Sequence, residues 1–160
     1  YIYEVTYAEN NITSFNLSDS SKNLNPVSID QCESMRKSRN YIDALLHLQR
    51  LVKNDKDIAP RAQYAIGDIF MNDLRDFPRA IQEYRKVIEN HKESEQEPHA
   101  LFMIGYLYAQ ILNDLKKAET EYRLFLDQFP NHELSPDVKF ELKYLGKSVE
   151  DIPALKHIKS

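Results

Sequence analysis

A chain of 160 residues, 42% hydrophobic and 29% charged, is long enough to bury a core and has an ordinary globular composition for one domain, or one plus a small appendage. Its net charge of −4 argues against a general nucleic-acid binder, which needs surplus Lys and Arg to displace counterions from phosphates. Three glycines and one cysteine, Cys32, leave no Gly-rich loop to cradle phosphates and no intrachain disulfide.

No apolar run reaches the ~20 residues of a membrane-spanning helix. The chain opens on Tyr1 and not on Met, which predicts a mature or partial form, with any leader peptide or lipid-anchor cysteine lying upstream.

In chain order, Tyr1–Tyr7 is rich in β-branched and aromatic residues, Ala8–Asn11 is turn-like, and Ile12–Leu17 reads as a second strand. Together they predict a β-hairpin with a four-residue turn. Such a hairpin is marginal alone and needs to pack on the helices or pair with another strand. Ser18–Pro26 is a linker by composition.

From Val27 the pattern becomes helical. Ile29, Cys32 and Met35 share one face, so Cys32 reads as a small core residue and not as a nucleophile. Asn40 is placed to cap a helix running to about Asn54, with Ile42, Leu45, Leu46, Leu48, Leu51 and Val52 as its apolar stripe. Pro60 opens the next helix and Asp76 caps its successor, which carries Pro78 in its first turn. Pro98 and Asp114 repeat this arrangement. Ser135 is expected to cap a last helix opened by Pro136 and stopped at Gly146 by a left-handed residue. Ser148–Ile158 is expected to add a turn or two, limited by Pro153.

The organising feature is a repeat. Pro60, Pro98 and Pro136 are each 38 residues apart. At the same offset, Ala62 returns as Ala100, Ile66 as Ile104, Gly67 as Gly105 and Phe70 as Tyr108. Further on, Leu74 returns as Leu112, Asp76 as Asp114, Ala80 as Ala118, Tyr84 as Tyr122 and Arg85 as Arg123. A sustained self-match at a fixed period marks a solenoid array. Small Gly67, Gly105, Ala80 and Ala118 let helices approach closely, and Phe70, Tyr84, Tyr108 and Tyr122 fill the space between them.

These residues resemble the tetratricopeptide repeat, a helix–turn–helix unit of about 34 residues with a small residue and then an aromatic in its first helix, and Ala and an aromatic in its second. Pro130 matches the proline near the end of the unit, and residues 28–54 look like a divergent earlier unit through Tyr41, Ala44 and Leu48. The departure is the longer period, with the extra residues expected in the helix-to-helix turn and the inter-repeat loop. The tail from Asp127 to Ser148, with its Phe-Pro-Asn-His and Leu-Gly-Lys-Ser ends, is similar to bacterial cell-envelope repeat proteins of the Tol–Pal coordinator and outer-membrane assembly lipoprotein type.

The resemblance implies a binding groove lined by the first helix of each unit. Carried over residue by residue, it gives Arg61, Tyr64, Asp68, Met71 and Asn72, then His99, Phe102, Tyr106, Ala109 and Gln110, then Asp137, Phe140 and Tyr144. The partner-binding candidates are Tyr64, Asp68, Met71, His99, Phe102, Tyr106, Phe140 and Tyr144. Their aromatic members suit recognition because they bury large area at low entropic cost. They read equally as packing against the adjacent unit, and both readings stay open. The Lys/Asn set with which some members clamp a C-terminal carboxylate is absent.

No enzyme signal accompanies this. His47, His91, His99, His132 and His157 form no metal pair at helical spacing and read as surface or loop residues. Glu93, Glu95 and Glu97 read as a solvated acidic loop. The expected architecture is therefore an all-α solenoid of about three helix pairs plus a capping helix (residues 27–160), preceded by a β-hairpin or extended segment and linker (residues 1–26). The expected function is a non-catalytic scaffold or assembly factor without metal or cofactor. It binds a protein or peptide partner at a bacterial envelope or periplasm, the cytoplasm being the alternative compartment. The second reading is a structural subunit of a larger assembly joined through its N-terminal strand.

Overall fold

The computed structural model describes residues 5–8, 11–15 and 27–147. Strand β1 (Val5–Ala8) pairs antiparallel with β2 (Asn11–Phe15), with a bulge between Thr6 and Tyr7. Ala8 pairs with Asn11, so the hairpin closes at the two ends of the expected four-residue turn, and the strands include both of these residues. The rest of the expected strands, the linker and the segment after Lys147 lie outside the described residues.

The helices are α1 (Ile29–Lys37), α2 (Tyr41–Asn54), α3 (Ala59–Asp68), α4 (Phe77–Asn90), α5 (Gln96–Tyr106), α6 (Leu115–Gln128) and α7 (Ser135–Tyr144). The chain divides into two compact units, Tyr1–Glu83 and Tyr84–Ser160, the divide falling inside α4.

In the first unit α2 packs on α1 and on α3. Helix α1 starts in a capping box: the Gln31 amide donates to Ser28 Oγ (3.3 Å) and the Ser28 amide to Gln31 Oε1 (2.8 Å). It ends in a Schellman turn, with Arg39 left-handed (φ 61) and the Asn40 amide donating to the Met35 carbonyl. Asn40 occupies the N-cap of α2 as expected, but its side chain donates to Asp43 Oδ2 (2.7 Å) and leaves the backbone uncapped. Cys32, Leu45, Leu48, Ile66, Ile69 and Phe70 are buried, Cys32 as expected.

In the second unit α6 packs on α5 and on α7, around Leu101, Ala118, Tyr122, Phe125 and Val138. Asp114 caps α6, its Oδ1 accepting from the Lys117 amide, as Asp76 accepts from Arg79 at α4 (both 3.1 Å). Ser135 is not the cap of α7. It is that helix's first residue, and its hydroxyl donates instead to the Phe129 carbonyl (2.7 Å), tying α7 to the end of α6. Gly146 is left-handed (φ 74), as expected.

One residue of the longer period has a structural origin that the sequence did not locate. Both α3 and α5 run on into a π-helical turn, Ile69–Asp73 and Leu107–Ile111. The Leu74 amide reaches back to Ile69 and the Leu112 amide to Leu107, one residue further than in an α-helix. Left-handed Arg75 (φ 55) and Asn113 (φ 52) then close the turn, and the amides of Asp76 and Asp114 bond the carbonyls of Phe70 and Tyr108. One of the extra residues expected in the helix-to-helix turn or the inter-repeat loop therefore sits instead in the last turn of each first helix.

His47, expected at the surface, is buried on α2 at 8% exposure. Burial and then the Arg50 charge hold its pKa below the usual value of 6.5, and burial does the same to His91. The unfolded chain thus takes up these protons more readily than the folded one. Their contribution to stability is complete above pH 6.5 and is lost as pH falls toward the lowered folded values. Thermal melts between about pH 7.5 and 5 are expected to show falling stability, with a shallower slope in His47→Gln and a residual slope from His91.

Candidate partner-binding surface

The first unit places two of the predicted residues in a cavity. Tyr64 and Asp68, one turn apart on α3, line a space of about 220 Å³ between α3 and α1. The buried residues Cys32, Leu48 and Ile69 line the same cavity. Ile29 and Ala65 add to this apolar lining, and the other lining residues, Asp30, Glu33, Arg36 and Arg61, are ionic. Arg36 Nε lies 2.5 Å from Asp73 Oδ2, with Glu33 3.6 Å from its Nη1, and Arg61 Nη2 lies 3.8 Å from Asp30. Burial lowers the Arg36 pKa, but its hydrogen bond to Asp73 and that carboxylate's charge outweigh the loss and leave it raised. Burial, and then Asp68, push the Tyr64 phenol well above its ordinary value, so it remains a neutral donor. Met71, the third candidate on this element, is half-buried and does not line the cavity.

In the second unit the structure brings the other candidates into pairs. Phe102 and Tyr106 stand one turn apart on α5 with ring centroids 6.5 Å apart, and Phe140 and Tyr144 pair at 4.8 Å on α7. Gln110, in the π-helical turn after α5, donates to Glu141 of α7 (3.1 Å) and ties the two helices together. Phe140 is 39% exposed, an unusual position for a large apolar ring. The Lys143 and Lys147 ammonium groups lie 5.2 and 5.5 Å from the Tyr144 ring centre. His99 is drawn elsewhere: its Nδ1 contacts the Glu95 carbonyl (2.8 Å) and its ring meets His132 edge-on at 5.4 Å, in a cluster with Phe125 and Phe129. It stands with a ring cluster at the start of α5.

Beneath Phe102 lies Tyr122, fully buried, at 6.2 Å between centroids. Its hydroxyl is buried and meets no hydrogen-bond partner among the described residues. Burial, then Glu141 and Tyr106, raise its pKa, so the phenol stays neutral. Because an unpaired buried hydroxyl carries a desolvation penalty, Tyr122→Phe is expected to be neutral or to stabilise by up to about 1 kcal/mol in a denaturant melt.

Sequence reasoning missed the α1 side of the cavity, Asp30, Glu33 and Arg36, because α1 has no strong repeat match to carry residues over. It also missed the Gln110–Glu141 link between elements that are far apart in sequence. Among the described residues no group of three or more His, Cys, Asp or Glu is placed to hold a metal ion, and no helix is long and apolar enough to cross a membrane.

Successive packed helices, with the same π-helical turn and the same residues returned at a fixed offset, define a helical-hairpin repeat protein. The tetratricopeptide repeat pattern matches residues 34–92 and 73–133, and the chain belongs to that family. Repeats of this family generally mediate protein–protein interaction. No curated protein matches the chain.

Proposed function

We propose that the chain is a non-catalytic scaffold or assembly factor that holds a peptide or helix of a partner protein on the faces of its first helices. The observation that carries this is the second unit's aromatic surface, in which Phe102 and Tyr106 on α5 and the exposed Phe140 beside Tyr144 on α7 flank the Gln110–Glu141 link. Rigid aromatics with two free torsions are the side chains from which recognition hot spots are built. An amphipathic helix or extended segment suits such a face.

The test is Phe102→Ala/Tyr106→Ala. Calorimetric affinity for a partner obtained with the unaltered chain is expected to fall tenfold or more, about 1.4 kcal/mol. A melt run in parallel separates lost binding from lost fold, since Phe102 also packs on the core. Unchanged affinity in a folded double variant would sink the assignment.

We place this scaffold at a bacterial envelope, in support of which stands the similarity of residues 127–148 to envelope repeat proteins. Cell fractionation tests it, and recovery with cytoplasmic proteins favours the other compartment. A second reading is supported by the β1–β2 sheet, whose two strands leave both outer edges unpaired within it. Such edges add strands readily, which makes the hairpin a candidate joint to a neighbour in an assembly. Solution mass with and without residues 1–26 decides between the two, a multimer that becomes monomeric on truncation favouring the second.

A further inference from the structure

We propose that the cavity between α1 and α3 anchors one medium-sized apolar side chain of the partner, with a basic residue next to it in the partner's sequence. The inference rests on the reading that the first-helix faces bind a partner. It adds a second anchor point, separate from the aromatic surface, and states its chemistry.

The layout of the cavity argues for this occupant. Buried Cys32, Leu48 and Ile69 give it an apolar lining, and Ile29 and Ala65 extend that lining. Empty apolar cavities of about 150 Å³ are known to take up a ligand as large as benzene, so about 220 Å³ has room for a Leu, Ile or Met side chain. The charges are the exposed part. Asp30 and Arg61 have side chains 87% and 61% exposed and meet at only 3.8 Å. A pair of that kind contributes little and exchanges partners readily.

The sign of the rim follows from its members. Asp30, Glu33 and Asp68 line the cavity against Arg36 and Arg61, and Arg36 is already engaged by a further carboxylate, Asp73. Three carboxylates line the cavity against two guanidinium groups, one of which Asp73 already engages, so among the described residues the mouth is net acidic. An incoming Lys or Arg beside the apolar anchor gains Asp30 or Glu33, whereas an acidic neighbour is repelled. Charge at the rim sets preference and burial at the lining sets affinity, the usual division between rim and core in a binding surface.

The experiment uses the full chain, isotope-labelled, titrated with the dipeptide probes N-acetyl-Leu-Lys, N-acetyl-Leu-Glu and N-acetyl-Ala-Lys as N-methylamides, and read by amide shifts. Leu-Lys is expected to shift amides of α1 and α3. Leu-Glu is expected to bind about threefold more weakly, the scale of an exposed charge contact, and Ala-Lys not to reach saturation. Ala65→Phe, which fills the cavity, is expected to abolish the α1 and α3 shifts, with Ala65→Leu as the milder variant if a melt shows unfolding. Asp30→Asn/Glu33→Gln is expected to erase the preference for Lys over Glu and to keep the requirement for Leu. Equal binding of Ala-Lys and Leu-Lys overturns the anchor. Shifts confined to α5 and α7 also overturn it while leaving the aromatic surface standing. The converse, cavity shifts with an inert Phe102→Ala/Tyr106→Ala, keeps the anchor and removes the aromatic surface.

Discussion

Gly105→Ala is expected to destabilise the second unit by about 2 kcal/mol, although the change favours a helix locally. A Cβ built on Gly105 would lie 2.5 Å from Cε1 and 2.7 Å from Cδ1 of the Tyr122 ring. No side chain tolerates contacts of that length. The ring cannot yield cheaply, because it is fully buried and stacked below Phe102. Overpacking of this kind typically costs about 1–3 kcal/mol, and two ring atoms inside 3 Å place this site at or beyond the upper end. Against that stands about 1 kcal/mol of helix propensity gained on replacing Gly by Ala. A double-mutant cycle separates the two terms. With the ring removed in Tyr122→Leu, Gly105→Ala is expected to become neutral or mildly stabilising, since only the helical preference remains. The same destabilisation in both backgrounds would show that Gly105 serves some need other than space for the ring.

That pair also shows what was legible in the sequence. The return of Gly67 as Gly105 and of Tyr84 as Tyr122 at one offset marked a recurring pair of residues without coordinates, and in the second unit the close approach of Gly105 to the Tyr122 ring is its physical reason. The helices, their order and the proline and aspartate starts followed from the same self-match. Three kinds of feature stayed hidden. One inserted residue has no sequence mark that distinguishes a wider loop from a wider helical turn, and here Leu74 and Leu112 show that it went into the helix. A side chain with two possible partners was assigned to the nearer one. Ser135 was expected to cap α7, yet its hydroxyl takes the Phe129 carbonyl, and Asn40 takes Asp43 in place of its own helix's amides. Residues outside the strong repeats had no counterpart to speak for them, so buried His47 and the α1 wall of the cavity went unseen.

The candidate surface was legible to a similar depth. Tyr64 and Asp68 do share one cavity, and Phe102 with Tyr106 and Phe140 with Tyr144 do form ring pairs. Met71 and His99, taken from the same positional rule, are placed elsewhere. A positional rule specifies which face of a helix a residue occupies. It does not specify what a neighbouring element brings to that face, and His132 is what claims His99.

A repeated acid carries the second large prediction. Glu83 and Glu121 stand 38 residues apart, just before the repeated tyrosines, and both are buried. A buried carboxylate must be paired, and each unit finds a different partner. Glu83 accepts from Gln63 Nε2 at 2.9 Å, while Glu121 takes both arms of Arg85, at 3.1 and 2.6 Å. That bond and the Glu121 charge outweigh burial and raise the Arg85 pKa, so the guanidinium stays charged throughout the accessible range. Glu121→Ala therefore strands a charge. Removing one partner of a fully buried pair costs about 3–5 kcal/mol, but the Arg85 side chain is 31% exposed and recovers part of its hydration, so about 2 kcal/mol is expected in a denaturant melt. Arg85→Met in the same chain is expected to restore most of the loss, because the remaining apolar stem no longer carries an unpaired charge into the interior. Glu119 and Arg123 provide the control. They form a comparable contact at 2.7 Å on the same helix, with side chains 47% and 65% exposed, and Glu119→Ala is expected to cost no more than about 0.5 kcal/mol. If the two alanine variants lose stability equally, the burial of Glu121 is not what makes the pair matter. If they differ as expected, the repeat's acidic position is a structural element in its own right, and the arginine that follows the tyrosine in both sequence repeats acts differently in each: Arg85 is held by a buried acid, Arg123 by an exposed one.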